Sequence, residues 1–381
     1  MREGDPKFVW VRDKNKTVMK AEILKCREQE GAVEHYIHLV GKDKRFDRWI
    51  PERCIGGYCS GERKPRASGH RTRRYTQCLK EDNGISGIVD PAALELEEAH
   101  RERTKIKNIE DVVLGRYRMD CWYFSPYPEE VCGKRLYVCG RCLGYMKQEE
   151  SYAEHVAACV QECPGRTVYR KDGVTVREVS GAGSKTFCQR LCLFGKLFLD
   201  HKVTFFDVES FVFYVLYEGD GGTEQIAGFF SKEREKGNVY NLSCIVVLPP
   251  YQRKGYGRFL ISLSYELSRA EGIRGTPERP LSDLGLLTYR KFWAQEVLSV
   301  LCTENGPRTI EGIAKQTGIY EEDVFDTLEW LHLFRLCRDR KTLLLSADKV
   351  SEASGRFLPT KGCLFDRAFL IRSPEESGSC Q

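Results

Sequence analysis

The sequence predicts an α+β protein, and three observations carry that expectation. Residues 239–271 switch from a strand-length apolar run to helical spacing across a proline break and a glycine loop. Residues 205–217 and 225–231 read as two more strands, joined through the turn Gly219-Asp-Gly-Gly222. Near the start, residues 8–11, 19–24, 35–40 and 48–50 read as short strands between polar turns.

At 381 residues, two or three domains are expected. A hydrophobic fraction of 41% supports buried cores, and 30% charged residues supply a solvated surface. No apolar run approaches the roughly eighteen residues that span a bilayer. Met1-Arg2-Glu3-Gly4-Asp5 is not followed by the apolar segment of a signal peptide. The 17 cysteines are an odd number in a chain without secretory features, so thiols or metal ligands in a reducing compartment are expected. A net charge of +5 is too small to imply wholesale polyanion binding, so local charge matters more.

Taken in order, residues 7–55 form a first small β unit. Tyr36 and Trp49 are either part of its core or two walls of an aromatic cage for a methylated ammonium. Lys42, Lys44 and Arg45 offer the same unit a nucleic-acid surface. Residues 56–105 read as a linker followed by a charged helix. Between Glu62 and Lys80 lie Arg63, Lys64, Arg66, Arg71, Arg73 and Arg74, a cluster suited to a solvated tether, a nuclear-import signal or a phosphate contact.

Cys139, Cys142, His155 and Cys159 follow with the spacing Cys-x2-Cys-x12-His-x3-Cys. Two sulfurs on one tight turn converge, and a His and Cys four apart on a helix share a face, so the set suits tetrahedral zinc. Four protein ligands leave no position for water, which makes the site structural. Cys132 and Cys163 lie close in sequence and are the substitutes if one of the four is not a ligand.

Residues 190–202 read as a helix and turn. The strand at 239–248 ends at Pro249 and Pro250, and Gly255 and Gly257 open the helix marked by Phe259, Leu260, Leu263 and Leu267. Such a loop suits an anion, because orphan N–H groups and the helix dipole point the same way. A Walker loop is absent, and the third glycine of a dinucleotide fingerprint is Leu260. An ordinary turn is the alternative. Residues 309–317, 320–333 and 342–345 read as helix, helix and strand, the outline of a winged helix. Glu321, Glu322, Asp323, Asp326 and Glu329 make its second helix acidic and repel phosphate, and residues 373–381 read as a disordered tail.

Four runs then resemble the MYST family of histone acetyltransferases, in the family's order and over about two-thirds of the chain. They are Asp120-Cys-Trp-Tyr-Phe-Ser-Pro-Tyr-Pro128, Phe198-Leu-Asp-His-Lys-Val203, residues 251–260, and Pro280-Leu-Ser-Asp-Leu-Gly-Leu-Leu287. The first unit, through Tyr36-Ile-His-Leu-Val-Gly41 and Asp47-Arg-Trp-Ile50, resembles the chromo-barrel that precedes many members. The resemblance implies an acyl-CoA N-acyltransferase-like core of the Gcn5-related type. A C2HC zinc finger (about 134–160) and a winged-helix-like segment (about 301–371) flank the acetyl-CoA core (about 185–300), all within a catalytic region over 106–371.

The resemblance also assigns roles. Glu278, in Thr276-Pro-Glu-Arg-Pro280, falls on the family's general base, and Cys244 on the cysteine beside the thioester, either a transient acetyl acceptor or a pocket wall. By itself Glu278 reads as a solvated turn residue, and Cys244 as a core position. Acetyl-CoA contacts carry over to Ile245, Val246 and Val247, and its pyrophosphate to Gln252, Arg253, Lys254, Gly255, Tyr256, Gly257 and Arg258. Ser282 matches a further contact, as does Lys291, where the family often has serine. Lys202 matches the self-acetylated lysine. The implied partners are histone tails and nucleosomes with the subunits of a chromatin-modifying complex, in the nucleus and without a membrane. A non-catalytic chromatin reader or scaffold and a sequence-specific DNA-binding protein are the rivals. The intact base and glycine loop count against the first, the single finger and acidic helix against the second.

Overall fold

Alternation of apolar and polar residues builds the first unit. Val9 and Val11 are buried while Trp10, between them, faces out at 44% exposure. In the computed structural model, which describes residues 8–12, 18–29, 31–58, 104–200, 206–219, 224–234, 238–303, 309–336, 343–358 and 364–371, this pattern gives an antiparallel five-stranded sheet. Its strands are β1 (Phe8–Arg12), β2 (Val18–Gln29), β3 (Ala32–Leu39), β4 (Arg48–Pro51) and β5 (Ile55–Tyr58), in the order β4-β3-β2-β1-β5. Irregularities in register at Trp10/Val11 and Ile23/Lys25 bend it around a core of Val9, Val11, Ala21, Ile23, Ile37, Leu39 and Ile50. The fifth strand was not expected from the sequence. This unit also takes in residues up to Glu110 and Cys121–Pro126; Asp111–Asp120 and everything from Tyr127 on form the second unit. The linker and charged helix expected over 56–105 lie almost wholly outside the described residues, as does the tail at 373–381.

A four-stranded sheet follows, of β6 (Ile109–Leu114), which enters the second unit at Asp111, β7 (Tyr117–Asp120), β8 (Gly133–Val138) and β9 (Tyr145–Met146), in the order β7-β6-β8-β9, with α1 (Glu149–Ala158) behind them. Asp111 is buried between Arg118 at 2.8 Å and Arg135 at 2.6 Å. Burial pushes its carboxyl up, but the two guanidiniums outweigh burial and hold it below the ordinary range.

The central sheet runs β10 (Arg166–Lys171), β11 (Val174–Ser180), β12 (Phe211–Glu218), β13 (Gln225–Glu233) and β15 (Cys244–Val247), each pair antiparallel. The six central residues of β12 are all buried, as expected of a strand covered on both faces. Helix α2 (Lys185–Lys196) comes close at Gly195, where a Cβ would sit 2.6 Å from the Phe229 ring. The single strand expected over 239–248 is divided at Ser243. β14 (Tyr240–Leu242) leaves the central sheet and pairs in parallel with β16 (Thr276–Pro277), while β15 stays beside β13. Gly228 permits the close approach of β13 to β15, because a Cβ there would lie 2.5 Å from the Val246 carbonyl oxygen.

Helix α3 (Tyr256–Ala270) follows the glycine loop and α4 (Asp283–Leu301) follows β16. The winged-helix outline is present as α5 (Ile310–Thr317), α6 (Glu321–Trp330) and the hairpin β17 (Phe334–Leu336) with β18 (Leu343–Leu345). It packs on α4 with the additional helix α7 (Ala347–Phe357), around Tyr289, Phe292, Trp293, Val297, Val324 and Leu328. The last described residues run back over the sheet. Phe365 stacks on Tyr169, Lys171 pairs with Asp366 at 2.8 Å, and the Ile371 N–H donates to the Val168 carbonyl at 2.7 Å.

Candidate active site and metal centre

The four residues of the Cys-x2-Cys-x12-His-x3-Cys pattern meet in space. Their ligand atoms all lie within 4.8 Å of one another, and among the described residues no other such group of His, Cys, Asp and Glu is formed. Cys139 Sγ is 3.9 Å from Cys159 Sγ, and Cys142 Sγ is 3.2 Å from His155 Nε2. Edges of a tetrahedral zinc site are about 3.3–3.8 Å for ligand bonds of about 2.0–2.3 Å, so the set fits a structural zinc ion. The turn that carries the first pair is closed by Cys139 N–H to Gly144 O and by Leu143 N–H to Cys139 O. Gly144 leaves the Cys142 sulfur room: a Cβ there would come within 3.2 Å of it. Burial pushes the Cys142 thiol up, against the pull of the Gly144 N–H, and a zinc ion bound there would favour its thiolate. Cys132 and Cys163 are not in the group: Cys132 donates to the Pro128 carbonyl, and Cys163 lies beside Tyr217 and Arg177. The finger is tied to the sheet helix through Arg190 of α2, which donates to the Cys142 carbonyl at 3.2 Å.

The glycine loop is shaped as an anion cradle. Leu248 ends the strand, Pro249–Tyr251 form one 3-10 turn, and the backbone then takes left-handed φ at Arg253 (63°) and Gly255 (93°). Gly255 is the N-cap of α3 and supplies no side-chain cap, so the first-turn amides of Tyr256, Gly257 and Arg258 have no capping side chain. At Gly257 a Cβ would meet only ordinary contacts, Thr288 at 3.7 Å and Val247 at 4.0 Å. Packing therefore does not demand glycine there. Arg258 Nε is buried without a hydrogen-bond partner among the described residues. These features fit a pyrophosphate.

The side chains of the loop divide. Gln252 donates to the Val247 carbonyl at 2.9 Å, Lys254 pairs with Glu218 at 3.1 Å, and the buried Tyr256 donates to the same carboxylate at 2.8 Å. Arg253 is exposed. For Tyr256, Gly257 and Gly255 the backbone is what the loop presents.

Thirty-odd residues separate Cys244 from Glu278 in sequence, and β14–β16 pairing closes that gap. The Glu278 N–H donates to the Leu242 carbonyl at 2.8 Å, two residues before Cys244. Pro277, opposite Leu242, has no N–H to extend the ladder, so the chain leaves the sheet with Glu278 exposed at its end. Cys244 and Ile245 are half-buried and Val246 is buried on β15, the edge strand of the central sheet. Thus strand edge, thiol, carboxylate and glycine loop belong to one stretch of chain folded on itself.

Ser282 caps α4, accepting the Gly285 N–H at 3.1 Å, and its own O–H remains a donor. Lys291 is exposed on the same helix. Lys202 lies outside the described residues. In the first unit Tyr36 is 1% exposed and is core; the Trp49 ring meets its edge at 5.3 Å. The Arg27 guanidinium sits over that indole at 4.1 Å, held by Glu34 and Glu110 at 2.8 Å each. Arg27 was not singled out from the sequence. Arg27 had a local signal, since β2–β3 pairing sets it opposite Glu34.

A four-ligand zinc finger joined to a sheet whose split edge strand runs into a glycine-headed helix defines a distinct class of protein. Family comparison agrees over the whole of it. Residues 162–361 match the model described as the MOZ/SAS family, residues 106–159 the MYST family zinc finger domain, and residues 6–56 the RNA binding activity-knot of a chromodomain. The histone acetyltransferase MOF of Drosophila melanogaster is 35% identical over 443 residues, covering 99% of this chain and 53% of that protein. Histone acetyltransferases of the MYST family 1 and 2 of Arabidopsis thaliana are 39% and 40% identical, covering 85% and 91% of this chain and 75% and 79% of their own lengths. The chain thus spans about half the length of the fly relative. It belongs to the MOZ/SAS family of MYST proteins.

Proposed function

We propose that the protein is a histone lysine acetyltransferase, with Glu278 as general base and Cys244 beside the reacting thioester. The observation that carries this reading is the Glu278 N–H to Leu242 O bond, which fixes the carboxylate-bearing residue to the end of β14, two residues before Cys244. Acetyl-CoA supplies the acetyl group as a thioester. The protein's part is to bind, orient and move a proton. First-turn amides at Tyr256, Gly257 and Arg258 receive the pyrophosphate, and the β15 edge at Ile245, Val246 and Val247 aligns the rest of the donor. A lysine amine with a pKa of about 10.4 is neutral in roughly one molecule per thousand near pH 7, a handicap of about 4 kcal/mol. Glu278 accepts that proton as the nitrogen attacks the thioester carbonyl; the C–S bond then breaks, and the coenzyme A thiolate leaves and takes up a proton. Direct attack is the economical route, because an acetyl-cysteine at Cys244 would leave the same lysine still to be deprotonated. The histone-tail substrate, the nuclear setting and attachment to a chromatin-modifying complex belong to the same reading. The test is incubation with radiolabelled acetyl-CoA and nucleosomes, followed by mapping of labelled sites. Label on tail lysines is expected, and none above that of Glu278→Gln sinks the proposal.

The glycine loop has its own test. Gly257→Glu places a negative side chain where the pyrophosphate approaches, at a position whose Cβ meets only ordinary contacts. Acetyl-CoA affinity should fall by about tenfold or more while the thermal transition without ligand hardly moves. Unchanged affinity in a titration would rule the loop out.

For the first unit, the covered Trp49 face and buried Tyr36 favour a nucleic-acid surface over a methyl-lysine cage. A trimethyl-lysine peptide is expected not to bind it. Saturable binding that disappears in Trp49→Ala would reverse that assignment.

A further inference from the structure

Helix α6 opens with three acids, and only one of them is buried. Glu322 is exposed and Glu321 half-buried, but Asp323 is 1% exposed. A carboxylate removed from water needs partners that repay its lost hydration. Arg279 Nη2 donates to Asp323 Oδ1 at 2.6 Å, while Asp323 Oδ2 is buried without a hydrogen-bond partner among the described residues. Arg279 directly follows Glu278 in sequence. Backbone bonds reinforce the arrangement: Gly275 N–H donates to Gly318 O at 2.9 Å, and Tyr320 N–H to Gly275 O at 3.1 Å. The chain entering α6 therefore grips the edge of β16 on the side away from β14. Gly275 fits tightly there, since a Cβ would come within 2.6 Å of the Asn241 amide. Glu278 itself makes no side-chain hydrogen bond or ion pair among the described residues, so the backbone that carries it sets its direction.

We propose that Asp323 is a positioning residue for the general base: through Arg279 it clamps the 275–280 segment so that Glu278 stays against Leu242 of β14, two residues before Cys244. The winged-helix-like segment then has a task in the reaction, as the second jaw of that clamp. The proposal rests on the reading of Glu278 as base.

The experiment is steady-state acetylation of a histone-tail peptide from neutral to alkaline pH, with acetyl-CoA affinity and thermal unfolding measured alongside. Asp323→Asn and Arg279→Gln should each lower kcat by about 10- to 100-fold, the scale of an ångström-sized misplacement. Acetyl-CoA affinity should be unchanged, and the loss should shrink as pH rises and the substrate amine needs less help. Arg279→Lys, which keeps a charged donor, should retain most of the turnover. In a Glu278→Gln background neither change should cost anything more. Arg279 is about half exposed, so Arg279→Gln keeps the test open even where Asp323→Asn does not fold. Full turnover by the folded variants overturns the proposal, as does an undiminished further loss in the Glu278→Gln background. Full turnover by Glu278→Gln alone removes the base assignment, and the clamp's purpose with it.

Discussion

Glu278→Gln is expected to lower turnover near neutral pH by roughly 10²–10⁴-fold, the range that a positioned general base contributes. The amide keeps the size and shape of the carboxylate and leaves the Glu278 N–H to Leu242 O bond in place, so folding and acetyl-CoA affinity should hold. Alkaline pH should partly restore the variant, because the substrate amine then loses its proton to solvent. Cys244→Ala separates the two chemical routes in the same assay. Under direct attack it removes a half-buried pocket wall and no proton acceptor, so its cost should be the smaller. If Cys244→Ala abolishes turnover with folding and affinity intact, an acetyl-cysteine is the better account. Wild-type turnover of Glu278→Gln at every pH would mean that the base lies elsewhere.

What could be read from the residues alone follows how local each feature is. The finger was legible because a Cys-x2-Cys turn and a His-x3-Cys helix each fix two ligands by short-range geometry. The glycine loop was legible for the same reason: proline stop, left-handed glycine and helix start are neighbours in sequence. The division of 239–248 was not, since β14 and β15 share one apolar pattern and differ only in the strand each pairs with. Glu278 is the sharpest case. Nothing between two prolines marks it as more than a turn residue, and its place is set by pairing across more than thirty residues. Only the family resemblance pointed to it. Asp323 did leave a trace: with Val324, Thr327 and Leu328 it occupies the buried face of α6, so an acid stands in an apolar stripe. Read as one more charge on an acidic helix, it was passed over.

Cys142→Ser is expected to release zinc and destabilise the second unit. Metal analysis should give about one zinc per wild-type chain, and the binding free energy of a structural zinc is about 10 kcal/mol or more, comparable with the stability of a whole domain. Serine offers a shorter, harder oxygen at a position where the sulfur lies 3.2 Å from His155 Nε2 and accepts the Gly144 N–H at 3.3 Å. Three remaining ligands leave an open tetrahedral position, which converts a closed site into a labile one. The effect should reach beyond the finger, because Arg190 of α2 is bonded to the Cys142 carbonyl. Loosening that turn removes a tie to the middle of the helix that lies on β13 at Gly195. Chelation of the wild-type protein should lower its thermal transition as the substitution does, and Cys163→Ser, outside the ligand group, should leave the zinc content unchanged. A well-folded wild-type chain that carries no metal would end this account of the finger.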